Sequence, residues 1–176
     1  MSRKLRYLFR LIFNLFRINL IKVLFFGRFK SPVFILASIR SEFRIEDKGS
    51  IYIKKALNME ANSILYAFGG KINIGSAFVN RNCVIVSREE IYIGNGVTIG
   101  PNVCIYDHDH RASGDSSDEK YVSERIYIED NVWIGAQSTI LKGVHIGKGA
   151  IIAAGAVVVG DIPAGKVARG VPARIM

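Results

Sequence analysis

The fold is decided by residues 128–158, which read IEDNVW-IGAQST-ILKGVH-IGKGAI-IAAGAV-V. Isoleucine or valine returns at every sixth position from Ile128 to Val158, and the same spacing occurs upstream at Ile93, Ile99 and Ile105. A period of six fits neither an α-helix nor a simple alternating strand. It is typical of a solenoid in which short parallel strands form triangular coils, with three hexads in each coil. The spacing therefore predicts an all-β chain folded as a parallel β-helix.

A small or medium side chain stands four positions after each repeated residue. These positions are Val97, Val103, Val132, Ser138, Val144, Ala150 and Ala156. We expect the β-branched residues to stack inside the coils and the smaller ones to fit the tight corners. The pattern weakens upstream, through Ile72 and Ile74 to Ile51 and Ile53. We therefore predict an arm at 1–44, a β-helix at 45–165 and a C-terminal tail at 166–176.

The repeat is interrupted once, between Ile105 and Ile128, which are not separated by a multiple of six. The intervening segment is polar and includes His108 and His110, two of the three histidines of the chain. We predict that residues 107–125 form an excursion loop that leaves one corner of the solenoid. Loops on a rigid scaffold often carry chemistry, so this loop is the first candidate for an active site.

The N-terminal segment is basic and amphipathic. Residues 1–41 hold nine lysines or arginines and no acidic residue, and residues 3–30 carry apolar side chains at helical spacing. This pattern predicts an amphipathic helix with two open interpretations: peripheral contact with an anionic inner membrane face, or packing on the domain or on a neighbouring subunit. No base-reading motif accompanies the charge, so no nucleic-acid partner is predicted.

The expected compartment is the cytoplasm. No cleavable signal is recognisable, and Cys83 and Cys104 lie in apolar, strand-like contexts that favour free thiols. If the N-terminal helix contacts lipid, the protein would lie peripherally on the inner face of the membrane.

Residues 70–176 resemble the hexapeptide-repeat acetyltransferases, and among them the galactoside and maltose O-acetyltransferases. The motifs are IGNGVTIGPNV at 93–103, VCIYDHDH at 103–110, NVWIGA at 131–136 and GVPAR at 170–174. The resemblance implies a left-handed β-helix, acetyl-CoA as the donor, no metal, and a homotrimer with active sites between subunits. It also implies a carbohydrate-type acceptor, for example in the O-acetylation of a surface polysaccharide.

The resemblance also implies roles for particular residues. His110 matches the catalytic histidine, with His108 as the alternative. The acceptor-contacting positions are Asn80 or Asn82, together with Trp133, which is expected to border the loop corner. The acetyl-CoA-contacting positions are Ala136, Lys142, Ala154, Lys166, Arg169 and Arg174. The chain departs from the family pattern at Arg111, Ala136, Val159 and Gly160, where the family usually has proline, serine, threonine and lysine.

Acetyl transfer to a hydroxyl needs a base and an oxyanion donor. Imidazole is the side chain suited to accept a proton near neutral pH. With alanine at position 136, a backbone N–H is the expected oxyanion donor. No serine or cysteine nucleophile with a partnered base is evident, so direct transfer is predicted. Two rival interpretations remain: a γ-class carbonic anhydrase with zinc on His108, His110 and His145, and a non-catalytic scaffold.

Overall fold

The computed structural model describes residues 3–32, 35–110 and 121–176. One helix, α1 (Arg3–Leu24), precedes a β-solenoid of about six coils. The strands are β1 (Phe29–Lys30), β2 (Leu36–Ala37), β3 (Glu42–Glu46), β4 (Ser50–Met59), β5 (Ile64–Phe68), β6 (Lys71–Val79), β7 (Val84–Ser87), β8 (Glu90–Ile93), β9 (Val97–Ile99), β10 (Cys104–Tyr106), β11 (His108–His110), β12 (Tyr121–Ser123), β13 (Ile126–Ile128), β14 (Trp133–Ile134), β15 (Thr139–Ile140), β16 (His145–Ile146), β17 (Ile151–Ile152), β18 (Val157–Val158), β19 (Val167–Arg169) and β20 (Arg174–Ile175).

The strands stack in parallel on three faces of the solenoid. The first face contains β8, β13 and β16, with the first halves of β4 and β6. The second face contains β9, β14, β17 and β19, with the second halves of β4 and β6. The third face contains β3, β5, β7, β10, β15 and β18. Each coil therefore has three corners where the chain turns from one face to the next.

The hexad positions form the core. From Ile93 to Val158, the repeated isoleucines and the final valine are fully buried, and the small or medium residues at the corners are buried as well. Burying an isoleucine side chain contributes about 1.5–3 kcal/mol, so one stacked column of these residues supplies a large part of the stability. The predicted β-helix is confirmed, because the residues chosen by the spacing are those that point inward.

The first coil begins earlier than the predicted boundary at residue 45. Helix α1 ends at Leu24 and not at residue 30, and Gly27 lies at φ 77° in the turn that follows. Phe29 then pairs with Ile51, and Leu36 pairs with Asn58. The hexads do not reveal this coil because its buried side chains are of mixed type, including Phe29, Ala37 and Phe43, and because β1 and β2 have only two residues each. At the other end, β19 and β20 of the predicted tail join the second face.

Helix α1 packs against the first coil through one side. Ile18 is fully buried there, and the Asn14 amide Nδ2 donates a hydrogen bond to the Ala37 carbonyl at 2.6 Å. The Arg17 guanidinium donates to the backbone carbonyls of Ser38 and Ser41. In the part of the chain that the structure describes, no helix has the length and apolar character needed to cross a lipid bilayer.

The predicted loop leaves the corner between the third and first faces. After β10 the chain enters β11, which pairs antiparallel with β12, and β13 then resumes the first face. Residues 107–110 and 121–125 are the two stems of the loop, and this corner is termed the loop corner. The loop residues 111–120, including Arg111, lie outside the described residues.

Candidate active site

The loop corner is organised around one buried carboxylate. Asp107 has no exposed side-chain surface. Its Oδ1 accepts a hydrogen bond from the Arg88 N–H at 2.8 Å, and its Oδ2 accepts one from the Glu89 N–H at 2.9 Å. The Ser87 hydroxyl lies 2.7 Å from Oδ2. A buried carboxylate needs this number of donors to offset its desolvation, so Asp107 ties the base of the loop firmly to the preceding coil.

His108 is paired with this carboxylate. Its Nδ1 lies 3.1 Å from Asp107 Oδ1, and its side chain is 13% exposed. An ionised carboxylate only accepts hydrogen bonds, so the neutral imidazole donates from Nδ1 and keeps the lone pair on Nε2. The rings of Tyr106 and Tyr121 pack edge-on against His108. Of the two aspartates beside the histidines, Asp107 pairs with His108, whereas Asp109 Oδ2 lies 3.5 Å from Lys142 Nζ.

His110 lies two residues farther out and is exposed. It is the register partner of Tyr121 across the β11–β12 ribbon, and their ring centroids are 4.6 Å apart. The Arg88 guanidinium lies over two rings, 3.3 Å from the Tyr121 centroid and 4.0 Å from the Phe68 centroid of β5. Tyr121 and Arg88 therefore support the ribbon that carries His110. No sequence motif marks either residue, because their contacts join segments that are distant along the chain.

Lys142 lies at the loop corner but is engaged by carboxylates. Its Nζ is 3.3 Å from Glu124 Oε1 and 3.5 Å from Asp109 Oδ2. The hydrogen bond to Glu124 raises the pKa of Lys142, with a further contribution from the charge of Asp109. Within a single chain this lysine ties the loop stems to the next coil, and its charge is already balanced.

Tyr106 can act at this corner only as a neutral phenol. Burial, with a smaller contribution from Cys104, raises the pKa of Tyr106 to about 12. Its hydroxyl therefore stays protonated at neutral pH and is not a base there.

Four other predicted positions lie at the corner between the second and third faces: Asn80, Asn82, Ala136 and Ala154. We term this corner, formed by residues 80–82, 100–102, 135–138 and 153–155, the asparagine corner. Asn82 adopts φ 58°, and its side chain bonds to Asn62 and to Asn102 at 3.1 Å each. Asn82 is thus a rung in an asparagine ladder. Asn80 uses its Oδ1 to accept the Arg81 N–H at 2.8 Å. Among the described residues the amide NH₂ of Asn80 takes part in no hydrogen bond, which favours Asn80 over Asn82 as a ligand-contacting side chain.

Ala136 and Ala154 follow one another down the asparagine corner. The Ala136 carbonyl accepts the Gly155 N–H at 2.8 Å. A Cβ on Gly100 would lie 2.7 Å from the Ala136 nitrogen, so glycine is required where the two coils approach. Within the described residues, the Ala136 N–H is not used as a donor. This amide is therefore not committed to an acceptor within the described part of the chain.

Trp133 lies on the second face, between Thr98 and Ile151, and is 54% exposed. The family resemblance predicts a position beside the loop corner. In the structure it is on the one face that does not meet that corner, because the loop leaves between the third and first faces. An exposed indole on a flat face is available for contact with a ligand or with another subunit.

The predicted site residues thus form two groups at opposite ends of the third face. From Asn82 to Ser87 the chain runs along this face at about 3.3 Å per residue, which separates the two corners by roughly 15 Å. One chain therefore does not bring His110 together with Asn80, Ala136 or Trp133.

A third group of predicted residues lies at the C-terminal end of the solenoid. Arg169 and Arg174 are register partners in the antiparallel pair β19–β20, and both are exposed, as is Lys166. Directly opposed residues on two strands project to the same side, so two positive charges face outward together. Such a pair is suited to bind a phosphate group.

His145 is remote from the two loop histidines in its contacts. It lies on the first face, where its Nε2 is 2.9 Å from Glu129 Oε1 and its ring packs edge-on against Tyr127. Over residues 3–32, 35–110 and 121–176, no three His, Cys, Asp or Glu side chains are grouped so as to hold a metal ion.

Both the repeat and the fold are similar to those of known proteins. Residues 125–160 match the family model described as bacterial transferase hexapeptide (six repeats). The galactoside O-acetyltransferase of Lactococcus lactis subsp. lactis (strain IL1403) is 40% identical over 111 residues, which cover 61% of this chain and 54% of that protein. A solved galactoside acetyltransferase in complex with coenzyme A is 30% identical, with a TM-score of 0.57, and the match covers 91% of this chain and 68% of that one. The chain belongs to the hexapeptide-repeat acetyltransferase family.

A further hexapeptide-repeat acetyltransferase, from Vibrio cholerae O1 biovar eltor and complexed with acetyl coenzyme A, is 29% identical with a TM-score of 0.57. That match covers 81% of this chain and 69% of the other. The chain spans about half the length of the curated relatives it matches, between 54% and 57% for the galactoside O-acetyltransferases of L. lactis and Escherichia coli. The family resemblance predicted from the motifs is confirmed.

Proposed function

We propose that this hexapeptide-repeat protein transfers an acetyl group from acetyl-CoA to a hydroxyl of a carbohydrate-type acceptor, with His110 as the general base. The proposal rests on where His110 lies in this member of the family. It is an exposed imidazole on a ribbon whose base is fixed by the pairing of the buried Asp107 with His108. A base must be both reachable by the substrate and held in place, and this ribbon provides both.

The proposed reaction is direct. The acceptor oxygen attacks the thioester carbonyl carbon as His110 removes the hydroxyl proton, the carbon–sulfur bond breaks, and the proton passes to the departing thiolate. The developing oxyanion needs a hydrogen-bond donor, and the unused Ala136 N–H is the candidate. His108 has a positioning role, because its pairing with Asp107 fixes the first strand of the ribbon.

The proposed assembly is a homotrimer with the active site between subunits. His110 lies at the loop corner, whereas Asn80, Ala136 and Trp133 lie on or beside the second face. A cyclic arrangement that sets the loop corner of one copy against the second face of the next unites the two groups. Acetyl-CoA fits such a groove if its phosphates meet Lys166, Arg169 and Arg174, with Ala154 lining the pantetheine.

The proposed acceptor class follows from the side chains on the second face. A carbohydrate offers hydroxyls for an amide such as that of Asn80, and an apolar ring face for an indole such as that of Trp133. The relatives named for galactoside acetylation support the same class. A sugar unit of a polysaccharide under assembly in the cytoplasm is consistent with these features.

The deciding experiment measures thiol release from acetyl-CoA against a panel of sugars. His110→Ala should lower kcat/KM by about 10²–10⁴-fold, as expected for loss of a general base. His145→Ala is the matched control, because that histidine lies on the first face, and it should retain activity. His108→Ala should cause a smaller loss than His110→Ala; the reverse order would make His108 the base.

The same preparation tests the two rivals. Stoichiometric zinc with carbon dioxide hydration and no binding of acetyl-CoA would support a carbonic anhydrase. A folded protein that binds neither zinc nor acetyl-CoA would support a scaffold.

A further inference from the structure

Helix α1 is apolar on the side that faces away from the solenoid. Its inner side holds the buried Ile18 and Asn14. Its outer side carries seven large apolar residues, each at least 40% exposed, and we term these the outer apolar face: Leu5, Phe9, Ile12, Phe13, Phe16, Leu20 and Val23. At 100° per residue, these positions fall within an arc of about 100° centred opposite Ile18. A monomer in water rarely exposes a contiguous apolar patch of this size.

The charge around the outer apolar face has one sign. Residues 1–41 contain nine lysines and arginines and no aspartate or glutamate. Of these, Arg17 and Lys22 bond to carbonyls of the first coil. Two copies of so basic a segment would repel one another if they met face to face. An anionic lipid surface would attract each copy and cover its apolar side chains.

We infer that α1 lies in the plane of an anionic lipid surface with its outer apolar face inserted at the boundary between headgroups and acyl chains. Phe16 and Val23, each 73% exposed, are the residues that enter most deeply. The solenoid is then attached to the opposite side of the helix through Ile18, Asn14 and Arg17. This inference does not depend on the identity of the acceptor.

The test is flotation of the purified full-length protein with vesicles. The chain should float with vesicles of phosphatidylcholine containing phosphatidylglycerol, and more weakly with phosphatidylcholine alone. Raising the salt to about 1 M, where the Debye length is about 3 Å, should reduce the difference between the two lipids. Equal binding to both lipids at low salt, or no binding to either, would overturn the inference.

The double variant Phe9→Ser/Phe16→Ser removes two rings from the outer apolar face. Both side chains are more than half exposed, so the fold should survive, which a thermal melt checks. Its partition onto anionic vesicles should fall at least about tenfold. Ile39→Ser is the matched control, because Ile39 is 54% exposed but lies outside the helix, and it should bind like the wild type. Equal binding by the double variant and the wild type would refute the insertion.

Two further readouts separate this inference from its competitor and from the proposed function. If the wild type does not bind vesicles and the double variant changes the oligomeric mass in solution, a second copy covers the helix and the inference fails. Thiol release with a soluble acceptor should be the same for the double variant and the wild type, since α1 contacts β1 and β2 of the first coil, whereas the loop leaves after β10. Loss of vesicle binding with activity retained is the expected pattern.

Discussion

At the residue scale, Asp107 has the most demanding environment at the loop corner. Its two oxygens receive the backbone N–H groups of Arg88 and Glu89, and they also contact Ser87 and His108. An amide of the same shape offers only one acceptor oxygen, so an asparagine cannot satisfy the same set. Substitution of Asp107 therefore tests directly whether the loop corner is built on a buried carboxylate.

Asp107→Asn should lower the free energy of unfolding by about 1–3 kcal/mol, because in either orientation its NH₂ group would face at least one buried backbone N–H. Urea denaturation followed by circular dichroism gives the value. Asp109→Asn is the matched control. Asp109 is half exposed and contacts Lys142 at 3.5 Å, so its loss should cost less than about 1 kcal/mol. Similar losses for the two variants would contradict this account of Asp107.

The residue scale is also where prediction from sequence was weakest. The hexads predict that His108 and His110 stand on a loop, and the structure agrees. They say nothing about side-chain direction outside the repeat, so they could not show that Asp107 turns inward to His108 while Asp109 meets Lys142. The position of Trp133 shows the same limit: a motif places it in a hexad, but only the coil register shows that this hexad is on the second face.

At the element scale, the asparagine ladder stabilises the corner between the second and third faces. Asn62, Asn82 and Asn102 all adopt positive φ values of 58–60°, and their amides bond from coil to coil at 3.1 Å. Asparagine suits both demands, since it tolerates the left-handed region and carries a donor and an acceptor. The ladder therefore combines a backbone preference with side-chain hydrogen bonding.

Substitutions at Asn82 separate these two contributions. Asn82→Gly loses the side-chain hydrogen bonds but keeps an unstrained left-handed backbone. Asn82→Ala loses the same bonds and also places a Cβ in the left-handed region, at an added cost of about 1–2 kcal/mol. The alanine variant should therefore unfold at the lower urea concentration. An alanine variant as stable as the glycine variant would show that φ at this corner is not what selects asparagine.

The elements that sequence predicted best are those in which one residue type repeats. From Ile93 to Val158, each inward position is isoleucine or valine in step, and all of those positions are buried. The first coil was missed because its buried side chains are of mixed type, namely Phe29, Ile35, Ala37, Phe43 and Ile45. Without one repeated residue type, this coil leaves no recognisable hexad signal.

At the scale of the whole molecule, the separation of the candidate residues is the main constraint on function. His110 and Asn80 lie at opposite ends of the third face, roughly 15 Å apart along the strands. Hydrogen bonding requires about 3 Å, so no local rearrangement of side chains unites them within one chain. This separation supports the proposal that a site using both residues is built from two copies.

Co-expression of two inactive variants tests this arrangement. His110→Ala and Asn80→Ala should each be inactive alone. Suppose that the proposed trimers assemble at random from equal amounts of the two variants. An interface is then fully native only when an Asn80→Ala copy supplies His110 and a His110→Ala copy supplies Asn80. This combination occurs at one interface in four, so about one quarter of wild-type activity should return.

A mixture of His110→Ala with Asp107→Asn is the control, because both changes fall on the loop corner. In that mixture every interface draws its loop corner from an altered copy, so activity should not rise above that of the two variants measured separately. An absence of recovery in the His110→Ala and Asn80→Ala mixture, despite mixed trimers of native mass, would mean that each chain carries its own complete site.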